Sequence, residues 1–147
     1  MIARFLRWAI AGLVVLFIGI QFVPYGHDHR NPEVSAEPAW DSTQTRELVV
    51  RACYACHSNQ TVWPWYSNVA PVSWFIQRDV DRGRRDLNFS EWDRPQREAR
   101  NAVRQVQTGQ MPPLYYTWMH PEARLSPAER DELIRGLQAT LDTSTPR

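Results

Sequence analysis

The chain has 147 residues, about one domain, and a formal charge of +1 from 17 basic residues, all arginine, against 16 acidic ones. Without Arg4 and Arg7 the remainder holds 15 basic against 16 acidic residues. That near-neutral balance lacks the basic face that nucleic acid requires and the single-sign field that steers a charged partner, so no nucleic-acid partner is expected.

Arg4 and Arg7 precede an uncharged, mostly apolar run over residues 8–25, with Trp8 and Tyr25 at its ends as interfacial anchors. Basic residues ahead of such a run keep the N-terminus cytoplasmic and send the rest across. Its 18 residues are short for a spanning helix and long for a signal-peptide core. Val34-Ser35-Ala36 has the small residues of a cleavage site but lies too far beyond the run. Residues 1–25 therefore read as an uncleaved anchor in the cytoplasmic (inner) membrane, a single pass with the C-terminal domain in the periplasm. Residues 26–40 carry Pro32, Pro38 and several charges without an apolar period, and read as a spacer. His27 and His29 fall here and read as solvated side chains rather than metal ligands.

Residues 41–142 remain for a folded unit, small enough to lean on a staple such as a metal or a cofactor. A helix is expected over residues 41–55. Asp41 and Ser42 offer caps, Gln44 follows three residues after Asp41, and Leu48, Val49 and Ala52 form an apolar face. That face leads into Cys53-Tyr54-Ala55-Cys56-His57, the Cys-x-x-Cys-His signature of haem c attachment. The spacing has a physical reason. Two thiols on one helical turn reach both vinyl groups of a porphyrin, and the next residue projects its imidazole toward the iron. A redox pair of the thioredoxin kind needs a strand and a βαβ context, and a structural zinc site needs four ligands; neither is present. One covalently attached haem c is expected, on Cys53 and Cys56, with His57 as axial ligand.

Beyond the motif lies the tryptophan-rich stretch Trp63-Pro64-Trp65-Tyr66. Its rings suit a core wall, and Trp63 or Trp65 has an indole N–H for a propionate or a carbonyl. Pro71 is expected to open a second helix through Val72, Phe75, Ile76 and Val80, ending near Gly83. Ser90 and Asp93 suggest the start of a third, with Pro95 in its first turn, a thin stripe of Ala99, Ala102, Val103 and Val106, and Gly109 as the stop. Ser126-Pro127-Ala128-Glu129 is a capping box, and Leu133, Ile134, Leu137 and Leu141 make one face of a last helix. Residues 143–147 read as a tail. No alternating strand pattern appears, so the class is all-α with long loops around one haem.

An iron held by His57 has a second face, and Met111, Met119 and His120 are the candidates for it. Pro112 and Pro113 stiffen the backbone after Met111, as a weak thioether bond requires. The bland alternatives are that Met111 fills space and that His120 caps or bonds to backbone. Arg78, Arg82, Arg84 and Arg85 cluster on the second helix, where one could pair with a haem propionate or all could face solvent beside Asp79, Asp81 and Asp86. A carbonyl of Pro64 or Pro71 is the expected partner for the other ring nitrogen of His57.

The order of helix, Cys-x-x-Cys-His, long middle, Gly-x-Met-Pro and final helix resembles that of class I cytochromes c. More closely, the chain resembles the haem-binding domain family of bacterial exported proteins. The resemblance rests on residues 52–59 (ACYACHSN), 63–67 (WPWYS), 70–74 (APVSW), 88–92 (NFSEW), 109–113 (GQMPP) and 120–130 (HPEARLSPAER). It implies covalent haem c at Cys53 and Cys56, a His57 ligand and Met111 as the second ligand. The expected function is a mono-haem one-electron carrier of the periplasmic side, partnered by membrane redox proteins and by the lipid bilayer through its anchor. The alternative is a haem-based redox or gas sensor, or an accessory subunit of a membrane redox complex. No acid–base pair or nucleophile arrangement calls for an enzyme, although His120 would be a base for weak peroxidase chemistry.

Overall fold

The computed structural model of the chain describes residues 1–144, so part of the expected tail, residues 145–147, lies outside the described residues. All regular elements among the described residues are helices, with one isolated β-bridge between Ala36 and Glu91. They divide into two units: Met1–Arg30 with Trp63–Asp79, and Asn31–Val62 with Val80 onward.

The first unit opens with α1 (Ile2–Ile20), long and apolar enough to cross a membrane, with no buried side chain. The helix ends five residues before Tyr25, the expected end of the anchor, and Gln21 follows it as C-cap. The Gln21 amide brackets the backbone of Ala70, accepting from its N–H at 2.9 Å and donating to its carbonyl at 3.1 Å. Gly26 has φ +90°, and a Cβ there would lie 2.8 Å from the Ser73 carbonyl carbon, so both conformation and space require glycine. His29 stacks on Trp63 at 4.5 Å and lies 3.1 Å from the Ser67 carbonyl. It is therefore engaged within the protein, not simply solvated. The Trp63 indole N–H is buried with no acceptor among the described residues, while Trp65, in a 3₁₀ turn over Trp65–Asn68, is exposed.

The second unit holds α2 (Thr43–Ala52), α3 (Tyr54–His57), α5 (Ala99–Gln107), α6 (Leu114–Met119) and α7 (Pro127–Ser144). The intervening α4 (Val72–Asp86) begins in the first unit and ends in this one. Ser42 caps α2 by accepting from the Thr45 N–H at 3.1 Å. Asp41 instead ties back to Thr140 of α7. The capping box forms as expected: Ser126 N–H donates to Glu129 at 2.8 Å and Glu129 N–H to the Ser126 hydroxyl at 3.3 Å. Glu129 also meets Arg51 of α2 at 2.5 Å, and Arg51 first, then Ser126, hold its carboxyl down at about 2.

Helix α7 packs against both α2 and α5. Leu48 and Val49 of α2, Val103 and Val106 of α5, and Leu133, Leu137 and Leu141 of α7 join Tyr54, Leu87, Phe89 and Trp92 in one buried cluster. The α2–α7 crossing is close: a Cβ on Gly136 would lie 2.8 Å from the Thr45 Cβ. Burying these side chains is the main stabilising force, about 1.5–3 kcal/mol for each fully buried Leu or Val.

Further expected boundaries shift, with α2 covering Thr43–Ala52 rather than residues 41–55. Helix α4 runs through Gly83 to Asp86, because Gly83 serves close packing and not a stop. The third expected helix starts at Ala99, since the side chains of Ser90 and Asp93 are engaged elsewhere, by Asn59 and Ser35 respectively. The last helix continues to Ser144, whose carbonyl accepts from the Trp92 indole. Helix α6 and a 3₁₀ turn over Pro121–Ala123 were not anticipated; their few aromatic and apolar residues carry no helical period.

Residues 31–40, read as spacer, are held along the second unit. Ser35 N–H donates to the Ser90 carbonyl at 2.9 Å, Trp92 N–H to Ala36 at 3.0 Å, and Glu37 accepts a bidentate pair from Arg46 at 2.7 and 2.8 Å. Arg46, opposed by partial burial and helped by Trp40, lowers the Glu37 carboxyl below its ordinary value. A depressed carboxylate contributes stability above its unfolded value and loses it as pH falls through the folded one. Glu37→Gln is therefore expected to lower stability by about 1 kcal/mol at neutral pH and by less at about pH 3. Thermal melts of both proteins at the two pH values check this; an equal deficit at both would refute it.

Candidate functional site

Helix α2 ends at Cys53, whose φ of −124° breaks the helix while its N–H still reaches the Val49 carbonyl at 2.8 Å. The chain then turns once more through α3, with Cys56 and His57 N–H donating to the Cys53 carbonyl at 3.1 and 2.9 Å. Both thiols and the imidazole thus leave a single turn. Neither thiol is in a disulfide, and both cysteines are half-buried. Burial, reinforced by Cys56, pushes the Cys53 thiol up to about 12, so it is neutral at physiological pH.

The geometry assigns the His57 tautomer. Nδ1 lies 3.0 Å from the Leu87 carbonyl and 3.2 Å from the Gly83 carbonyl. Carbonyl oxygens only accept, so Nδ1 carries the proton and donates, and Nε2 keeps its lone pair. Burial lowers the imidazole's affinity for a second proton, against the opposing pull of the two carbonyls and Asp86. The partner carbonyls are those at the end of α4, not the expected Pro64 or Pro71. Gly83 allows this approach: a Cβ there would lie 2.9 Å from the Cys56 carbonyl carbon and nearer still to its oxygen.

The residues after His57 are latched to the same segment. Phe89 N–H donates to the His57 carbonyl at 2.8 Å. Arg84 Nε donates to the Ser58 carbonyl at 2.8 Å, and its Nη2 to Thr61 Oγ1 at 3.0 Å and Asn31 Oδ1 at 2.8 Å. Asn59 N–H reaches the Ser90 hydroxyl at 3.0 Å, and Asn88 Nδ2 reaches Asn59 Oδ1 at 2.9 Å. Ser58, Asn59, Asn88 and Ser90 are all buried and all bonded, so this polar layer meets the demand that burial imposes. These residues lay inside the stretches ACYACHSN and NFSEW, but no periodicity marked them. Arg84 is committed to this layer, whereas Arg82 and Arg85 lie exposed near Asp86.

Met111 follows α5 after Gly109, at φ +70°, and its N–H, like that of Gln110, donates to the Gln105 carbonyl. Its side chain, 37% exposed, lines a cleft of about 430 Å³ with Val106, Leu114, Trp118 and Leu125. Met119 is exposed. His120 stacks on Tyr116 at 4.3 Å and its Nδ1 lies 2.8 Å from Glu122, so its partner is a side chain rather than the backbone. Arg124 and Arg130 also line this cleft, and the Cys53–His57 turn does not.

No curated protein and no solved structure matches the chain. A family model described as a haem-binding domain matches residues 15–139. That stretch contains the Cys53–His57 turn, the Asn88–Ser90 layer and Met111, and it covers most of the chain. The chain belongs to the haem-binding domain family.

Proposed function

We propose that this haem protein is a membrane-anchored mono-haem c-type cytochrome that carries single electrons on the periplasmic side of a bacterial inner membrane. The observation that carries the reading is the His57 ring: Nδ1 spent on two backbone carbonyls, so that Nε2 keeps its lone pair, on the same turn as Cys53 and Cys56. A neutral imidazole with its far nitrogen hydrogen-bonded is what an iron ligand requires. Cys53 and Cys56 would hold haem c through thioether bonds, His57 Nε2 would ligate the iron, and Met111 would be the candidate second ligand. When bound, haem supplies a one-electron change of state at its iron, at a potential raised by methionine ligation.

The protein's own part is orientation: the carbonyls of Gly83 and Leu87 fix the imidazole. Helix α1, with Arg4 and Arg7 at its start, supports anchoring with the N-terminus inside. Anchoring would confine the domain near membrane redox proteins, its proposed partners. No enzymatic activity is proposed.

A sensor is the second reading, favoured by the exposure of Met111. Optical spectra of the full chain, matured with covalent haem, separate the two. Electron transfer expects a low-spin haem that resists carbon monoxide, with Met111→Ala binding it readily and its potential falling by on the order of 100 mV. A high-spin wild type that binds carbon monoxide at once, unchanged by Met111→Ala, would replace the carrier with the sensor.

A further inference from the structure

We propose that Arg84 is a positioning residue for the haem-ligating histidine, fastening the chain that leaves His57 to the helix end whose carbonyls hold its imidazole. This rests on the reading of His57 as an iron ligand. The turn that carries His57 has four residues and cannot hold a shape unaided. The chain straightens immediately after it, with Ser58 at φ −147° and ψ 169°. The hydrogen bonds from Nδ1 to Gly83 and Leu87 therefore persist only while the turn and the end of α4 stay in register.

Arg84 sits between those two carbonyl residues in sequence and supplies the register. Its Nε bonds the Ser58 carbonyl, one residue from the histidine, and its Nη2 bonds Thr61 and Asn31. One planar fork thus joins three separate stretches of chain: residue 31, residues 58–61 and the end of α4. A cation donating to carbonyl and amide oxygens in a half-buried site makes stronger bonds than the neutral latches beside it. The fork also explains the choice of residue. An ammonium is a point charge on a flexible stem and cannot present parallel donors at fixed angles. Phe89 N–H to the His57 carbonyl and Asn59 N–H to Ser90 act in the same direction on either side. Arg82, exposed and near Asp86 on the same helix, bonds none of these groups in the structure and is the natural control.

The test uses the full chain with covalent haem, as wild type, Arg84→Gln, Arg84→Lys and Arg82→Gln. Ferric electron paramagnetic resonance reports the axial ligand field, and redox titration reports the midpoint potential. Losing a group bonded directly to a ligand weakens that ligation by about ten- to a hundred-fold. Arg84 acts one step removed, so Arg84→Gln is expected to raise the fraction of haem without His57 ligation by at most about ten-fold, and to broaden the low-spin signal. Arg84→Lys should recover part of the effect and Arg82→Gln should match wild type. Signals and potentials of Arg84→Gln that overlay those of Arg82→Gln would overturn the proposal, whatever its melting temperature. If Arg84→Gln does not accumulate, an Arg84→Lys protein identical to wild type in both readouts would overturn it equally. A wild type with no haem, or one whose resonance survives His57→Ala, would overturn the underlying reading as well. A His57-ligated wild type with a silent Arg84 would overturn this inference alone.

Discussion

Serine at both Cys53 and Cys56 is expected to abolish haem that survives a denaturing gel, in the full chain produced alongside a cytochrome c maturation system. Serine is nearly isosteric, so the turn itself should persist; what disappears is the pair of nucleophilic sulfurs. Each single variant retains one attachment point and leaves one vinyl group conjugated, which moves the pyridine haemochrome band to longer wavelength. The double variant should also melt lower, because a group bound only by the folded state adds to its stability. A contribution of about 2 kcal/mol corresponds to roughly 10 °C in a domain of this size. Covalent haem that persists in the double variant would remove both residues from the site.

Gly83→Ala has the largest expected effect on the fold. Helix propensity alone argues for a gain, since alanine is better than glycine in a helix interior by about 1 kcal/mol. Packing decides otherwise. The new Cβ would meet the backbone carbonyl of Cys56, with the carbonyl carbon at 2.9 Å, and no flexible side chain is there to yield. Helix α4 would have to withdraw from the turn it presses on, and the Gly83 and Leu87 carbonyls would move with it. The expected net loss is about 3 kcal/mol, with His57 released from its hydrogen bonds. Gly12→Ala is the contrast, as nothing lies within 4 Å of a Cβ there. Thermal denaturation of the two variants checks the pair. A Gly83→Ala protein that melts at or above wild type would show that the approach of α4 is not tight.

Both experiments bear on one local design. The turn carrying Cys53, Cys56 and His57 is too short to be stable by itself, and the segment from Gly83 to Ser90 shapes it from outside. Mutations along that segment should therefore alter the haem site without touching a candidate ligand.

Much of this was readable in the residues. The Cys-x-x-Cys-His spacing, the capping box at Ser126 and the leucines of α7 are local patterns, because covalent reach and the 3.6-residue helical period act within a few positions. The apolar run after Arg4 and Arg7 is equally local, since membrane compatibility is a property of composition. The all-helical class followed from the same periodicities. What tertiary structure decided was every pairing across the chain. Gly83 looked like a helix stop and is instead the point where α4 touches Cys56, a difference visible only once two distant segments meet. Ser90 looked like a cap, yet its hydroxyl is taken by Asn59, thirty-one residues earlier. The partners of His57 Nδ1 are the carbonyls of Leu87 and Gly83, not those of Pro64 or Pro71, and a backbone carbonyl carries no side-chain signature in the sequence. A sequence states which side chains can ligate, cap or bury; which backbone atoms face them is settled by packing.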